Sequence, residues 1–555
     1  MSTTETRRMA PTRINDAVHW YMSNLTSRII ARTGIPSDRY HMGKVILQCL
    51  KDYPEAVTQI DGATGESETN ETILERSVKC ATSFRKFGLQ SMDVIVLMAP
   101  NHIHLCIPFY AALYTGNVIA AVDFNLGKIE LQQTLAVLEP KIIFCQSSKA
   151  PTIQLALNEI DSNAFIVAFD KGHYLCDFDS FIDKFYDGTT IDQFEPTDFD
   201  PEEATAFLVS TSGTTGLPKA AEVTHKNFLI SLPNLFLRYT EFPTPTKMAL
   251  VGSPLQWLTA LFNYVASAIF KYTRLQSSLP LTKEHAYYLF HTYKPTFSIL
   301  SPTLITSLLK NENKCDFSSF EFIMLGGSAV PASLIEEIKN LSPNTEVINV
   351  YGMSEISSIA FMGDYGPPDS CGRPLGVFYY RLIDTETQED ILEPNRPGEL
   401  WVKGPSVFKG YYKNKEATEE AFAEDGWFKT GDMFYRDENW NYYFLERIKL
   451  LLKYKSDQIS PVEVENVIRQ VPGVVDVAVA GLPDPECGDI PVACVVIQNG
   501  AIITADDIKN IVRDKLSDSK QLRGGVIFLD SIPMTASTKV HRRKLKEIVM
   551  SSKRL

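Results

Sequence analysis

Short runs of apolar residues alternate with segments of helical apolar spacing through most of the chain. Apolar runs bounded by polar or turn residues are typical of buried strands, and helical spacing between them is typical of crossover helices. The strand-like runs lie at residues 94–98, 141–144, 165–169, 206–210 and 322–325, and helical spacing fills 72–87 and 332–340. This alternation predicts an α/β architecture.

The longest charge-free segment, residues 248–270, approaches the length of a membrane span. It is interrupted by Gly252, Ser253, Pro254, Gln256 and Asn263. Such interruptions favour a short strand, a turn at Ser253-Pro254 and a buried helix. We therefore predict no transmembrane segment.

The pattern changes after Phe434, where a polar turn at 436–441 separates two aromatic strands. Beyond it, a predicted helix at 461–470 and predicted strands at 474–479 and 493–498 are enough for a small α+β unit. A chain of 555 residues is also too long for one ordinary core. We expect a large, internally subdivided N-terminal domain (1–445) and a small, mobile α+β C-terminal domain (446–555).

Composition and charge narrow the classes of function. The formal net charge of −13 argues against a nucleic-acid groove, because phosphate backbones are bound by clustered Lys and Arg. The nine cysteines are scattered and form no CxxC pair, which argues against a disulfide scaffold and a zinc site. The polar N-terminus lacks the apolar core of a secretory signal.

The last three residues, Lys553-Arg554-Leu555, are similar to the peroxisomal address Ser-Lys-Leu. The alternative is a frayed basic tail that follows a helix near 542–550. We therefore predict a peroxisomal location through this degraded signal. Without a working signal, the predicted location is cytoplasmic.

The strand at 206–210 continues into the segment STSGTTGLPK. Backbone N–H groups and hydroxyls around a concave turn bind polyphosphates, and glycines let the chain approach an anion closely. The predicted phosphate-binding residues are Ser210, Thr211, Ser212, Gly213, Thr214, Thr215, Gly216 and the cation Lys219.

This segment resembles the phosphate-loop signature of the adenylate-forming superfamily. That superfamily contains acyl-CoA synthetases, 4-coumarate–CoA ligases, peptide-synthetase adenylation domains and beetle luciferases. The resemblance runs from about Asp93 to the end of the C-terminal unit. It implies an acyl-adenylate synthetase-like fold and a reaction that begins with ATP.

Other motifs follow in the order of that family. The resemblance implies an adenine-binding wall and aromatic motif at Gly326, Gly327, Ser328, Tyr351, Gly352 and Ser354. It implies that Glu355 holds Mg²⁺ jointly with substrate phosphates, as suits a hard oxygen ligand. It also implies that Asp432 accepts hydrogen bonds from the ribose hydroxyls and that Arg447 reaches the same sugar.

Two lysines of the C-terminal unit match catalytic positions of the family. Lys539 corresponds to the lysine that neutralises charge as the acyl-adenylate forms, and Lys453 to the lysine that serves thioester formation. The sequence departs from the family at Ser456 and Thr538, where glycine is usual, which leaves adenylation better supported than thioester formation. Glu446 replaces the usual hinge Asp; the alternative is an exposed ion pair of Glu446 with Arg447.

The segment predicted to line the acyl-binding pocket differs from that of the beetle luciferases. Those proteins carry a His-rich segment at this place, whereas no His-rich segment follows Pro254. The predicted lining residues are Gln256, Trp257, Phe262, Ser328 and Ser358, although Trp257 and Phe262 are also typical core residues. For His225 we favour a structural role at a helix start.

The prediction is thus an acid–thiol ligase that activates a fatty or aromatic acid with ATP and Mg²⁺ and transfers the acyl group to coenzyme A. The small domain would turn between the two half-reactions. Two alternatives stay open: a non-catalytic nucleotide- or acyl-binding descendant, and a luciferase-like oxygenase. The identity of the acid and the oligomeric state do not follow from the sequence.

Overall fold

The computed structural model describes residues 17–33, 40–172, 176–211, 219–237, 239–244, 247–309, 316–363, 366–454, 457–484, 488–516, 518–535 and 539–555. Within these ranges the strands form four sheets. The first three lie in a large N-terminal domain, and the fourth lies in a smaller C-terminal domain. The predicted α/β fold class with two domains is confirmed.

The first sheet has seven strands, and most neighbours run parallel. In spatial order they are Gly410–Tyr411, Lys219–Thr224, Thr205–Thr211, Val118–Ala121, Val94–Met98, Ile142–Cys145 and Phe165–Ala168. Strand Val94–Met98 is buried throughout, with Ile95 and Leu97 in one hydrophobic cluster and Val96 in another. A parallel strand covered on both faces is apolar without alternation, which is why its sequence predicts its bounds.

The second sheet has nine strands and is parallel at its centre. In spatial order they are Arg373–Pro374, Ser358–Met362, Glu346–Met353, Phe322–Leu325, Phe297–Leu300, Met248–Leu250, Thr273–Gln276, Val57–Asp61 and Ser67–Thr69. One large hydrophobic core takes residues from both of these sheets and from the helices between them.

The third sheet is antiparallel, with strands Tyr379–Ile383, Gly398–Lys403, Phe428–Arg436 and Tyr442–Arg447. The sheet of the C-terminal domain contains Asp457–Ile459, Leu452–Tyr454, Gly488–Ile497, Val474–Asp484 and Val526–Phe528. The predicted domain boundary near Glu446 falls at the end of Tyr442–Arg447 and stays a prediction.

Helices cover the faces of the sheets. They are Ala17–Thr33, Met42–Asp52, Asn70–Phe87, Cys106–Thr115, Lys128–Leu138, Ala150–Glu159, Phe178–Phe185, His225–Ser231, Leu258–Phe270, Lys283–Tyr293, Pro302–Leu309, Ala332–Leu341, Lys415–Ala421, Pro461–Ile468, Ala505–Lys515 and Arg542–Ser551. Short 3₁₀ turns are Ile103–Leu105, Leu232–Phe236, Ser354–Ile356, Ile448–Leu450 and Asp518–Lys520.

Local signals set the bounds of these helices. Helix Asn70–Phe87 begins where the Thr69 side chain accepts a hydrogen bond from the N–H of Thr72, and it ends at Gly88. Gly88 has a φ of 103°, a left-handed conformation that glycine adopts without steric penalty.

The charge-free segment folds as predicted, with strand Met248–Leu250, then a turn and the helix Leu258–Phe270. Nearly all of that helix is buried in the protein core. Among the described residues, the structure contains no helix with both the length and the apolarity that a membrane span requires.

The last residue of the chain is paired in this structure. Leu555 and Val526 exchange both main-chain hydrogen bonds, each with an N···O distance of 3.0 Å. The Arg554 guanidinium also donates to the Val549 carbonyl at 2.7 Å. The alternative of a frayed basic tail is therefore wrong for this structure, because backbone pairing holds the tail against the C-terminal sheet.

An aromatic cluster joins the second and third sheets. The Phe361 ring is fully buried, and its centroid lies 4.4 Å from that of Tyr442, 5.4 Å from that of Phe434 and 5.7 Å from that of Tyr351. This cluster places Tyr351 on the second sheet beside the strands of the third.

We expect Phe361→Ala to lower the free energy of unfolding by about 3–5 kcal/mol, because it opens a cavity in the buried cluster. Equilibrium urea unfolding followed by tryptophan fluorescence measures this loss. Leu392→Ala is the control: Leu392 is 75% exposed, so its truncation should change stability by less than about 0.5 kcal/mol. Equal effects of the two substitutions would contradict the structural role of the cluster.

Candidate active site

Two neighbouring parallel strands, Phe322–Leu325 and Glu346–Met353, end at the same edge of the second sheet. Gly326 follows the first strand, and a Cβ there would lie 2.7 Å from the Val350 carbonyl oxygen. At Gly352 a Cβ would lie 2.4 Å from the Ser358 carbonyl oxygen. The close packing of backbone at this edge therefore requires glycine at both positions.

Asp432 is bound by side chains from two other strands. The Tyr351 hydroxyl donates to Asp432 Oδ2 at 2.6 Å, across 81 residues of sequence. Arg447 is the cross-strand neighbour of Asp432 in the third sheet, and its Nε lies 3.2 Å from Asp432 Oδ1. Three predicted nucleotide-binding residues therefore meet at one point.

Burial governs the electrostatics of this group. Asp432 is only 2% exposed, and desolvation raises the pKa of its carboxyl group, whereas the charge of Arg447 and the Tyr351 hydrogen bond oppose the rise. The nearby carboxylate raises the pKa of Arg447, and burial raises that of Tyr351. Among the described residues no group donates a well-aligned hydrogen bond to Asp432 Oδ1, so this buried acceptor suits a ligand hydroxyl.

Glu355 lies in the 3₁₀ turn that follows Tyr351 and Gly352. It is buried, and desolvation raises the pKa of its carboxyl group. The Tyr411 hydroxyl donates to Glu355 Oε1 at 3.0 Å. The Lys219 ammonium lies 5.1 Å from the centroid of the Tyr411 ring.

The strands on both sides of the predicted phosphate loop are paired with each other. Ser210 pairs with Ala220 and Thr211 with Lys219, and the Thr211 hydroxyl donates to the Lys219 carbonyl at 3.2 Å. Five predicted loop residues lie outside the described part of the chain: Ser212, Gly213, Thr214, Thr215 and Gly216. The Lys219 ammonium and the Glu355 carboxylate therefore contact the same side chain, Tyr411.

Lys539, from the C-terminal domain, faces this group. Lys539 is exposed as a whole residue, yet desolvation of its ammonium, together with the charge of Arg447, lowers its pKa. The carboxylates of Asp432 and Glu355 act in the opposite direction, so all three charges lie close enough to influence Lys539. The arrangement places an ammonium from the small domain at the edge predicted to bind ATP.

The second predicted lysine, Lys453, lies on strand Leu452–Tyr454, where its backbone pairs with Gln458. Its side chain, Ser456 and Thr538 all lie outside the described part of the structure.

Glu446, the predicted hinge residue, is buried with 3% exposure. Its Oε1 accepts a hydrogen bond from the Arg447 N–H at 2.8 Å, and its Oε2 has no hydrogen-bond partner among the described residues. Burial raises the pKa of Glu446 to about 7, although the charge of Arg542 opposes the rise. The alternative of an exposed Glu446–Arg447 ion pair is wrong, because Glu446 is buried and Arg447 pairs with Asp432.

The predicted acyl-pocket residues occupy different surroundings. Phe262 is buried in the main core, where its ring stacks on Phe236 with centroids 5.9 Å apart. Ser358 is buried opposite Met353, near Glu355. The remaining members are more accessible: Gln256 and Trp257 are half-buried before helix Leu258–Phe270, and Ser328 is exposed beside Gly327. Their role in acid binding stays a prediction.

His225 begins the helix His225–Ser231 and is fully buried, with its ring centroid 4.8 Å from that of Phe199 and 5.5 Å from that of His41. Burial lowers its pKa well below the usual range, which keeps the ring neutral. These contacts fit the predicted structural role.

Sequence reasoning missed Tyr411. It lies in the segment FKGYYKN, which carries no spacing that singles out one tyrosine. Only the pairing of strand Gly410–Tyr411 with Lys219–Thr224 brings its ring to Lys219 and its hydroxyl to Glu355.

Comparisons with known proteins agree with this geometry. Residues 48–412 match the family described as AMP-binding enzyme, and residues 463–539 match the AMP-binding enzyme C-terminal domain. A luciferin 4-monooxygenase of Photuris pensylvanica is 30% identical over 91% of this chain and 95% of its own length. The 4-coumarate–CoA ligase-like protein 9 of Arabidopsis thaliana is 29% identical over 89% of this chain and 88% of its own. The ATP-bound structure of MatB from Rhodopseudomonas palustris superposes with a TM-score of 0.82 at 23% identity, covering 92% of this chain and 99% of that one.

Glu446→Gln should remove a pH-dependent part of the stability. The carboxyl group has a pKa of about 7 in the fold against 4.5 normally, so the folded state favours its protonated form. The stability that this protonated form contributes is complete below pH 4.5 and is lost as the pH rises through about 7. Glutamine mimics the protonated form. The variant should therefore match the wild type at about pH 4 and exceed it by about 3 kcal/mol at about pH 8.

Thermal unfolding of both proteins across this pH range measures the difference. Glu547→Gln, at an exposed position of helix Arg542–Ser551, is the control and should leave the pH profile unchanged. A stability difference that does not vary with pH would show that Glu446 titrates normally.

Proposed function

Because this chain belongs to the AMP-binding enzyme family, we propose that it joins a carboxylic acid to AMP, with ATP as the donor, and then transfers the acyl group to coenzyme A. One observation carries the first half of this proposal. Lys539 of the C-terminal domain lies close enough to Asp432 and Glu355 for their charges to influence its pKa. A cation at that position can screen the carboxylate as it attacks the α-phosphate of ATP, which breaks the α–β phosphate bond and releases pyrophosphate.

The large domain supplies the nucleotide contacts of the proposed reaction. Asp432 Oδ1 forms an ion pair with Arg447 but accepts no well-aligned hydrogen bond from a described residue, so a ribose hydroxyl could donate to it. Lys219 and the hydroxyl-rich loop would hold the phosphates. The oxygen ligand Glu355 fits Mg²⁺, which would supply charge neutralisation on the phosphates it shares with this residue.

The second half of the reaction would use the other lysine of the small domain. Rotation about the segment near Glu446 would withdraw Lys539 and present Lys453, so that the thiol of coenzyme A displaces AMP. The substrate would be a fatty or aromatic acid, because the predicted pocket residues Trp257 and Phe262 are aromatic and Ser358 offers one hydroxyl.

A second candidate is a luciferase-like oxygenase, which the luciferin 4-monooxygenase relatives favour. The segment Leu255-Gln256-Trp257 argues against it, since the beetle luciferases carry a His-rich segment there. Light emission with oxygen, ATP and luciferin would support this candidate. Nucleotide binding without turnover would instead support a non-catalytic descendant.

We also propose a peroxisomal location on the basis of Lys553-Arg554-Leu555. Since the main chain of Leu555 pairs with Val526, an import receptor would have to compete with that pairing.

Acid-dependent exchange of labelled pyrophosphate into ATP tests the proposed adenylation. Across a panel of fatty and aromatic acids, we expect exchange with at least one class and none without acid, because the acyl-adenylate forms reversibly. Thioester formation is then measured with the active acids and coenzyme A. Absence of exchange with every acid would refute the enzymatic function.

The two lysines should separate the half-reactions. Lys539→Ala should reduce exchange by about 10²–10³-fold, because it removes a charge that stabilises the transition state. Lys453→Ala should spare exchange and slow thioester release. Lys415→Ala is the matched control, since the Lys415 side chain is 89% exposed, and it should affect neither step. Equal loss of exchange in both lysine variants would contradict this division of roles.

A further inference from the structure

Tyr411 joins two charged groups that come from different sheets. Its hydroxyl donates to Glu355 Oε1 at 3.0 Å, in the turn at the edge of the second sheet. The face of its ring receives the Lys219 ammonium, 5.1 Å from the ring centroid, at the start of a strand of the first sheet. A phenol can accept a cation on its face and donate to a carboxylate from its tip.

The surroundings of Tyr411 leave it little freedom. Its strand pairs with Lys219–Thr224, and its N–H donates to the Thr418 hydroxyl at 2.9 Å. Its ring meets Phe408 edge to face, with centroids 4.9 Å apart. The N–H of Phe408 in turn donates to the Glu355 carbonyl oxygen at 2.8 Å. The segment 408–411 therefore donates two hydrogen bonds to Glu355. One goes to the backbone carbonyl of Glu355 and the other goes to its carboxylate.

We propose that Tyr411 is a positioning residue that orients the Glu355 carboxylate toward a divalent cation and holds Lys219 beside the nucleotide phosphates. This inference rests on the proposed function and extends it to a residue that touches neither reacting group. Because the phenol donates to Oε1, we expect the cation to bind chiefly through Oε2. The ring limits the positions that the flexible Lys219 side chain can take, which lowers the entropy lost when it binds a phosphate.

Tyr411→Phe tests the hydroxyl alone, because phenylalanine keeps the ring over which Lys219 lies. Binding of Mn²⁺ to the complex with a non-hydrolysable ATP analogue, followed by electron paramagnetic resonance, should weaken about tenfold, as expected for loss of a hydrogen bond to a charged group. Binding of the analogue in EDTA should be unchanged. Tyr411→Leu should weaken both, since it removes the ring as well.

Tyr412→Phe is the matched control, because Tyr412 is the next residue and contacts Lys413 instead. It should bind Mn²⁺ and the analogue as the wild type does. Wild-type Mn²⁺ affinity in Tyr411→Phe would overturn the proposal. Equal weakening of metal-free and metal-dependent binding in that variant would also overturn it, because it would indicate a general packing defect.

The metal-binding measurement needs no turnover, so it separates this proposal from the proposed reaction. If the wild type binds Mn²⁺ with the analogue but exchanges no pyrophosphate with any acid, the reaction is refuted while the role of Tyr411 is still decided by the variants. If the wild type exchanges pyrophosphate, the Mg²⁺ concentration for half-maximal exchange should rise about tenfold in Tyr411→Phe, with the maximal rate retained. A fall in the maximal rate at unchanged Mg²⁺ dependence would contradict the orienting role.

Discussion

The arrangement of the site depends on the burial of the Asp432 carboxylate. A charge that is 2% exposed is strongly destabilising unless partners replace its hydration. Its partners come from separate strands: Tyr351 from the second sheet, and Arg447 from the last strand before the C-terminal sheet. Satisfying this one carboxylate therefore fixes the second sheet, the third sheet and the start of the small domain relative to each other.

That constraint also explains why chemically different groups gather at one edge. The strand that carries Tyr351 continues directly into the turn that carries Glu355. Arg447 directly follows Glu446 at the end of the third sheet, and it is the cross-strand neighbour of Asp432. The segment that leads to the small domain therefore starts beside Asp432. Lys539 then reaches the same edge from the far end of the C-terminal domain. A donor, two carboxylates and several cations meet there because the strands that carry them share a boundary.

The sequence predicts much of the fold, since buried parallel strands are apolar over their whole length. The run 94–98 matches strand Val94–Met98, and 322–325 matches Phe322–Leu325. The predicted strand 474–479 ends too early, because the observed strand continues to Asp484. Gly481 and Pro483 are typical of turns, yet ten paired positions with the neighbouring strand outweigh that local preference.

The site is less predictable than the fold for a physical reason. Motif residues such as Asp432 and Glu355 are recognisable from their neighbours in sequence, but the burial of Glu446 and the bridge formed by Tyr411 arise from contacts between distant segments. Glu446 illustrates the consequence. Its Oε2 is buried without a partner among the described residues, which makes the ionised form unfavourable in this orientation of the small domain. In the proposed alternation, a rotation that exposed this carboxylate to water would remove that penalty, so the hinge itself would favour departure from the adenylating arrangement once Lys539 has completed its role.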